Sequence, residues 1–143
     1  MGQRESRADR IQRTPRNVKS ALCDSHIMIG SDDVDRSKEF YDALFAAMGA
    51  QPGTVDARGR LAYSHDGGRF IVSKPIDGKP ATVLNGGTIG FLMSDGKMAE
   101  AWHKAGVANG GASIEDPPGV RPNGAFLAYL RDPDGHKLVA VAR

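Results

Sequence analysis

Four histidines and one cysteine are the side chains in this chain that are best suited to metal binding or catalysis. They are spread along the sequence at Cys23, His26, His65, His103 and His136. Histidine can act as an acid, a base or a metal ligand near neutral pH, and a thiolate can act as a nucleophile. Nothing beside Cys23 indicates an activated thiol. The adjacent Ser25 and His26 do not predict a nucleophile and its base, because neighbouring residues of a strand point to opposite faces.

The elements that must position these residues repeat within the chain at a constant offset, by which position 26 corresponds to position 88. The repeat aligns His26 with Thr88, Asp33 with Asp95, Phe40 with Trp102, Gly49 with Gly111, and Ala50 with Ala112. Each copy begins with a short apolar run, at 26–30 and 88–93, which favours a strand. Acidic residues that can cap a helix follow, and apolar residues three or four positions apart then predict the helix itself. The predicted core faces are Val34, Ser37, Tyr41, Leu44 and Met48 in the first helix, and Met98, Ala101, Trp102 and Ala105 in the second.

Each copy ends in two predicted strands joined by a tight turn. The strands fall at 61–64 and 70–73 in the first copy, and at 125–130 and 137–141 in the second. Asp66-Gly67 and Asp134-Gly135 mark the turns, since Asp-Gly is a typical hairpin sequence. The offset between the turns is larger than that between the helices, so the second copy carries six extra residues in the connection before its last two strands. Neither copy could bury a sheet face alone, and we expect the two to associate within one chain or between chains.

Several short motifs occur in a fixed order around this repeat. They are His26 to Gly30, Asp35 to Ser37 followed by Phe40-Tyr41, Pro75 to Pro80, Asn85-Gly86, and Arg131 to Lys137. Together they resemble the glyoxalase, bleomycin-resistance and extradiol-dioxygenase superfamily, also called vicinal oxygen chelate proteins. The resemblance implies an α+β fold of two βαβββ modules, whose mixed sheets curl into half-barrels around a pocket and commonly form a homodimer. It covers a single domain at 22–143, with module one at 22–84 and module two at 85–143, and leaves out an extension at 1–21.

In the metal-dependent enzymes of this superfamily, the first and last strand of each module supply the metal ligands. The repeat places the corresponding positions at His26, Ile71, Thr88 and Val139, with Val72 as the alternative to Ile71 if the register slips by one residue. The usual residues there are histidine, glutamine or glutamate, whereas only His26 is a strong donor here. Two aliphatic side chains would leave most of the charge of a divalent cation uncompensated. We therefore expect no metal cofactor.

Two functions of different classes remain open. The first is binding of a small, partly apolar molecule in a metal-free half-barrel pocket lined by His26, Thr88, Ile71 and Val139. Lys74 and Arg121 are candidate partners for an anionic group of that ligand. The second is a metal-dependent lyase, isomerase or dioxygenase with a rearranged ligand set. The sequence identifies no catalytic residue and leaves open whether the protein is an enzyme.

Composition limits the class of protein to which this chain can belong. The 143 residues are 40% hydrophobic and 25% charged, which is typical of one globular domain. No apolar run reaches the ~18 residues of a membrane-spanning helix, and the single cysteine and the lack of a leader favour a cytoplasmic protein. The segment 1–20 carries six basic and two acidic side chains, which predicts a mobile extension or, as the alternative, an arm that binds nucleic acid or another partner. The rest of the chain lacks clustered arginine and aromatic residues, so nucleic-acid binding is not expected there.

Overall fold

The computed structural model describes residues 25–143. The predicted extension at 1–21 and Cys23 lie outside the described residues. Module one contains a mixed four-stranded sheet and one helix, and its sheet has the strand order β1-β4-β3-β2. Its elements are β1 (Ile27–Gly30), α1 (Val34–Ala46), β2 (Thr54–Val55), β3 (Leu61–His65) and β4 (Gly68–Ser73).

Module two repeats this arrangement with one additional short strand. Its sheet has the order β5-β9-β8-β6, and β7 also pairs with β8. Its elements are β5 (Thr88–Leu92), α2 (Gly96–Ala108), β6 (Ala112–Ser113), β7 (Gly119–Val120), β8 (Phe126–Arg131) and β9 (Lys137–Ala142). In each module the first strand is parallel to the last one, and the remaining pairs are antiparallel. The fold class is α+β, as predicted. Among residues 25–143, no helix is long and apolar enough to cross a membrane.

The two helices begin where the repeat predicts. Asp33 and Asp95 are the N-caps, and their carboxylates accept hydrogen bonds from the backbone N–H groups of Arg36 and Met98. Such a cap satisfies one of the donors that a helix leaves unpaired at its start. Both helices have 13 residues, so the same sequence offset relates them from their first residue to their last.

The two terminal hairpins differ in their turns. In module one, Asp66 and Gly67 alone connect β3 to β4, and both have positive φ angles, of 50° and 86°. This geometry is that of a tight hairpin turn and explains the Asp-Gly sequence. In module two, Arg131 pairs with Lys137, so a five-residue loop from Asp132 to His136 separates the strands. The longer loop leaves room for contacts that the shorter turn cannot make.

The core lies between the two helices and one face of each sheet, and it is continuous between the modules. The Phe91 ring of β5 lies 5.3 Å from Phe45 of α1 and 5.7 Å from Phe70 of β4, measured between centroids. The same ring lies 6.0 Å from that of Trp102 of α2. Aromatic side chains from both halves therefore form one cluster, which joins the modules on the helical side of the sheets.

The predicted core face of α2 is partly wrong. Ala101 is exposed, whereas Ala99, Trp102 and Gly106 are buried. The small residues allow α2 to approach the core closely, because a Cβ atom at Gly106 would lie only 2.5 Å from Cδ2 of Leu130. Hydrophobicity alone favours Ala101 over Gly106 as the buried residue. Gly106 is buried because it has no side chain, which lets α2 approach its neighbours closely.

The repeat alignment also shifts by one residue after the helices. The backbone N–H of Ala50 donates to Phe45, and that of Gly111 donates to Gly106. The residues with positive φ that precede these donors are Gly49 and Gly110. Gly49 is therefore equivalent to Gly110, and not to Gly111 as the sequence repeat predicts, because the connection after α2 is one residue shorter.

Candidate functional site

The strand registers show which positions of the two modules are equivalent. Met28 of β1 pairs with Ile71 of β4, and Gly90 of β5 pairs with Val139 of β9. Met28 and Gly90 are separated by the same offset as the two helices. Ile71 and Val139 are separated by the larger offset of the two Asp-Gly turns, so they occupy the same place in the last strand of their modules.

Ile71 and Val139 lie on the sheet faces that point away from the helices. Their strand neighbours Phe70, Val72 and Leu138 belong to the helix-side core, whereas these two residues do not. Successive side chains of a strand point to opposite faces, so Ile71 and Val139 must face the other way. They are nevertheless only 8% and 7% exposed. We call this side, defined by Met28, Ile71, Gly90 and Val139, the non-helical face.

Val72, the alternative to Ile71, belongs to the opposite face. It is fully buried in the helix-side core and pairs with Leu61 of β3. The one-residue difference between Ile71 and Val72 thus separates the two sides of the sheet.

Two further residues of the non-helical face, Met28 and Gly90, were not predicted from the sequence. Met28 lies two positions after His26, and Gly90 two positions after Thr88, so strand periodicity could have found both. A Cβ atom at Gly90 would be 3.6 Å from Cγ1 of Val139, which places the two residues directly beside each other. The missing side chain leaves space above Val139, and Met28 occupies the matching position in module one.

His26 and Thr88 lie at the starts of the first strands, and both are exposed. His26 precedes β1 itself, and Oγ of Ser25 is 2.8 Å from its Nδ1 atom. The expectation that these neighbours point apart is therefore wrong, because strand alternation begins only at Ile27. Thr88 pairs with Lys137 across the parallel ladder and lines a surface depression together with it.

The two predicted cationic partners have local roles. Lys74 lines a surface depression of about 410 Å³ at the N-terminal end of α1, where Asp32, Asp33 and Asp35 also lie. The guanidinium group of Arg121 donates to the backbone carbonyls of Asp116, Pro117 and Gly119 in its own loop. The geometry thus ties Arg121 to its loop and sets Lys74 among carboxylates. Their predicted contact with an anionic ligand remains a prediction.

The residues at the four positions do not fit a divalent metal. Ile71 and Val139 offer only hydrocarbon, the Thr88 hydroxyl is a weak neutral ligand, and the ammonium group on the residue paired with Thr88 would repel a cation. Only His26 has the chemistry of a ligand. No cluster of three or more histidine, cysteine, aspartate or glutamate side chains with suitable spacing occurs within 25–143.

The other histidines form local or inter-module contacts. His103 of α2 lies with Nε2 3.0 Å from Oγ of Ser113, and burial lowers the pKa of His103. His136 is only 2% exposed. Its Nε2 donates to the carbonyl of Gly30 at 2.8 Å, and its Nδ1 accepts the N–H of Leu84 at 3.4 Å. His136 therefore connects the turn of module two to the end of β1.

A buried carboxylate lies next to this histidine. Oδ2 of Asp132 accepts a 2.6 Å hydrogen bond from the hydroxyl of Tyr41, and Oδ1 accepts the N–H groups of Asp134 and His136. Burial raises the pKa of Asp132, although the hydrogen bond from Tyr41 and the nearby His136 oppose the rise. Burial and the adjacent carboxylate raise the pKa of Tyr41 well above its ordinary value. These contacts join α1 to module two within the core, so their arrangement is structural.

A family model described as the Glyoxalase/Bleomycin resistance protein/Dioxygenase superfamily matches residues 25–139. The chain belongs to this superfamily. A solved structure described as a glyoxalase/bleomycin resistance protein from Albidiferax ferrireducens T118 is 46% identical, with a TM-score of 0.79, over 82% of this chain and 96% of that one. No curated protein matches the chain significantly.

More distant structures share the superfamily fold. A glyoxalase-related enzyme from Fulvimarina pelagi is 19% identical, with a TM-score of 0.68, over 88% of this chain and 89% of its own. A lactoylglutathione lyase from Agrobacterium tumefaciens is 20% identical, with a TM-score of 0.61, over 86% and 93%. At these identities the likeness supports the paired βαβββ architecture alone.

Proposed function

We propose that this superfamily member binds a small, partly apolar molecule on the non-helical face without a metal ion. The observation that carries the proposal is the position of Ile71 and Val139. They occupy equivalent places in the two modules, face away from the helices, and present branched hydrocarbon where metal-dependent relatives need charged or polar ligands. Such a lining favours an apolar group over an ion.

Two polar side chains could orient the ligand at the edge of this apolar surface. His26 and Thr88 are exposed at the starts of β1 and β5. Nδ1 of His26 faces Ser25, whereas its Nε2 has no hydrogen-bond partner among residues 25–143. A donor or acceptor on the ligand can pair with these groups, so the preferred ligand combines an apolar body with one polar end.

A second copy of the chain would complete the pocket in this proposal. Met28 and Leu92 are 45% and 75% exposed, and strand alternation places both on the non-helical face. They belong to β1 and β5, which are edge strands of their sheets. Exposed apolar side chains along sheet edges favour association, so a homodimer fits these features. A cytoplasmic location belongs to the proposal and rests on the single cysteine.

A thermal-shift screen of the purified protein against metabolites and drug-like compounds tests this proposal. We expect at least one partly apolar compound to raise the melting temperature, since a ligand that binds only the native state stabilises it. Val139→Glu should abolish that response. The matched control is Val107→Glu, which adds the same charge at an exposed position of α2 and should preserve the response. A compound that stabilises Val139→Glu and Val107→Glu equally would show that it binds away from Val139.

A metal-dependent lyase, isomerase or dioxygenase is the alternative, and it makes opposite predictions. It requires stoichiometric Ni, Zn, Fe or Mn in the purified protein and loss of that metal in His26→Ala. Elemental analysis of both proteins distinguishes the two functions. Metal bound in a His26-dependent manner would overturn the metal-free proposal.

A further inference from the structure

The non-helical face of module two consists of three rows of residues that run across β5, β9 and β8. The rows are Thr88, Lys137 and Arg131; then Gly90, Val139 and Tyr129; and then Leu92, Val141 and Leu127. The strand neighbours of these residues, among them Ile89, Leu138 and Leu130, belong to the helix-side core. Because successive residues of a strand alternate between its faces, all three rows point away from the helices.

These rows change from charged to apolar along the strands. The first row carries two cations and a hydroxyl group, whereas the third carries only branched hydrocarbon. Successive rows are two residues apart on each strand, which is about 7 Å, so the first and third rows are about 13 Å apart. A molecule that lies along the strands therefore meets positive charge at one end and hydrocarbon at the other.

A surface depression of about 390 Å³ opens beside the first row. Its lining includes the polar side chains of Thr88, Asn85, Arg131 and Lys137, and no carboxylate of the described residues. Nη1 of Arg131 donates to the carbonyl of Gly135 at 2.6 Å, and no salt bridge within 25–143 engages its other N–H groups. Arginine presents several donors in a planar fork that matches a carboxylate, so these groups are available to an anion.

The two cations of the first row are not equivalent. The ammonium group of Lys137 forms a salt bridge with Glu115 and lies 5.0 Å from the centre of the Tyr129 ring. Its charge is therefore largely balanced, and its side chain packs against the second row. Arg131 is exposed and remains the uncompensated cation. One such charge matches a carboxylate better than a phosphate monoester, which carries nearly two negative charges near neutral pH.

The second row differs between the modules in a way that favours module two as the binding site. In module one this row consists of Met28, Ile71 and Ala62. Module two has glycine in place of the methionine and tyrosine in place of the alanine. Gly90 therefore leaves open the space that Met28 fills, and Tyr129 supplies an aromatic surface that module one lacks.

We propose that module two binds a carboxylic acid with an apolar, preferably aromatic body. The carboxylate pairs with Arg131, and the body lies over Gly90 and Val139 beside Tyr129. This proposal rests on the metal-free binding function above and names the chemical class of the ligand. Arg131 contacts the anion in this arrangement, rather than the predicted Lys74 or Arg121, because it lies on the same sheet face as Val139.

Titration of the full-length protein with phenylbutyrate, followed by amide NMR, tests the proposal. The largest shift changes should occur at Thr88, Gly90 and Val139. Phenylbutanol, the neutral alcohol of the same length, should bind at the same amides about two- to fivefold more weakly, which is the expected contribution of an exposed ion pair. Added salt should reduce this difference, because it screens exposed charges. Butyrate, which lacks the ring, should cause no saturable change.

Four variants separate the charge from the ring. Arg131→Gln should weaken phenylbutyrate binding to the level of phenylbutanol and leave phenylbutanol unchanged, whereas Arg131→Lys should retain part of the preference. Arg58→Gln, at an exposed arginine that lines a different depression, is the matched control and should bind both compounds as the wild type does. Gly90→Met gives module two the second-row residue of module one and should abolish binding of both, with a dispersed amide spectrum as the check on folding.

Several outcomes would overturn the proposal. Equal affinity of the wild type for the acid and the alcohol, or of the wild type and Arg131→Gln for the acid, would remove the carboxylate contact. Weaker binding in Arg69→Gln but not in Arg131→Gln would place the anion in module one, where Arg69 is the equivalent of Lys137.

Two further results distinguish this proposal from the function on which it rests. Failure of phenylbutyrate to bind, together with a Val139-dependent compound in the thermal-shift screen, would overturn the ligand class and leave the metal-free function intact. Shift changes centred on Phe45 and Met48 would place the compound on the helical side and contradict both.

Discussion

The two modules pair their first and last strands in the same register, but they fill their helix–sheet interfaces in different ways. α1 buries three aromatic rings, at Phe40, Tyr41 and Phe45. α2 buries a single large side chain, Trp102, between small residues. At the position equivalent to Leu44, α2 carries Gly106. Large side chains of α1 thus fill its interface with the sheet, whereas the small residues of α2 let that helix lie close to its neighbours.

This difference is compensated in part between the modules. A Cβ atom at Gly106 would lie 3.1 Å from Cδ1 of Leu44, and one at Gly111 would lie 2.7 Å from Cε2 of Phe40. Large side chains of α1, together with Leu130 of module two itself, therefore occupy the space that these glycines leave free. The two modules therefore pack as one unit, in which a change of side-chain volume in one module affects the packing of the other.

The turns add a second asymmetry with the same consequence. Among the hydrogen bonds of residues 25–143, none joins Asp66 or Gly67 of the module-one turn to module two. The five-residue loop of module two places Asp132 against Tyr41 and His136 against Gly30. Aromatic packing and buried hydrogen bonds both fasten α1 and β1 to module two, so we expect the domain to unfold as one cooperative unit.

Removal of a large side chain from this shared interface should have the largest effect. Phe40 is fully buried and contacts the glycine surfaces of module two, so Phe40→Ala leaves a cavity that neither module can close alone. We expect a loss of about 3–5 kcal/mol in the free energy of unfolding, measured by urea denaturation. Val107→Ala, at an exposed position of α2, should change it by less than about 0.5 kcal/mol. Two separate unfolding transitions in either protein would show that the modules are independent.

The features that sequence reasoning predicted are local ones. The N-caps Asp33 and Asp95, the Asp66-Gly67 turn and the alternation that separates Ile71 from Val72 each depend on residues a few positions apart. Backbone sterics and side-chain periodicity determine such features regardless of the rest of the chain. The sequence repeat then predicted the equivalent strand positions of one module from those of the other.

The features that sequence reasoning missed join distant residues. Tyr41 and Asp132 are 91 positions apart, and Gly30 and His136 are 106 apart, so no periodicity links them. The core contacts of Gly106 were missed for a similar reason, because one of the side chains that fill the space beside it, Leu44, belongs to the other module. A small apolar cavity lined by Phe45, Phe70 and Phe91 likewise combines α1, one hairpin and β5. Only the packing of the two modules brings these groups together.

Adding one methyl group at Gly111 of module two tests how closely the backbone packs there. A Cβ atom at Gly111 would lie 2.8 Å from the carbonyl oxygen of Gly106 and 3.0 Å from that of Arg131, and these backbone atoms cannot move independently. Gly111→Ala should therefore lower the free energy of unfolding by about 1–3 kcal/mol.

The equivalent position in module one is Ala50, which already carries a Cβ atom. Ala50→Gly is the matched variant, and it should cost less than about 1 kcal/mol, mainly through added backbone freedom in the unfolded chain. Denaturation curves of the two variants at one pH give the comparison. Equal costs would mean that the two helix ends pack alike.

The smallest expected effect is a pH dependence that arises from the loop of module two. Burial raises the pKa of Asp132 from its ordinary value of 3.8, so the folded protein binds a proton more tightly than the unfolded chain does. Stability must then fall as the pH rises from about 3.8 through the raised pKa, because ionisation of Asp132 is less favourable in the folded state.

Asp132→Asn removes this titration, while its amide can still accept the N–H groups of Asp134 and His136. The altered hydrogen bond with Tyr41 adds a difference that does not vary with pH in this range. We therefore expect the difference in free energy of unfolding between Asp132→Asn and the wild type to shift in favour of the variant between pH 4 and 7. Asp42, whose pKa is lowered by Lys38, Gly53 and Tyr63 despite the opposing effect of burial, titrates below this interval in both proteins. Parallel stability curves would show that the Asp132 carboxylate is as well accommodated in the folded protein as in water.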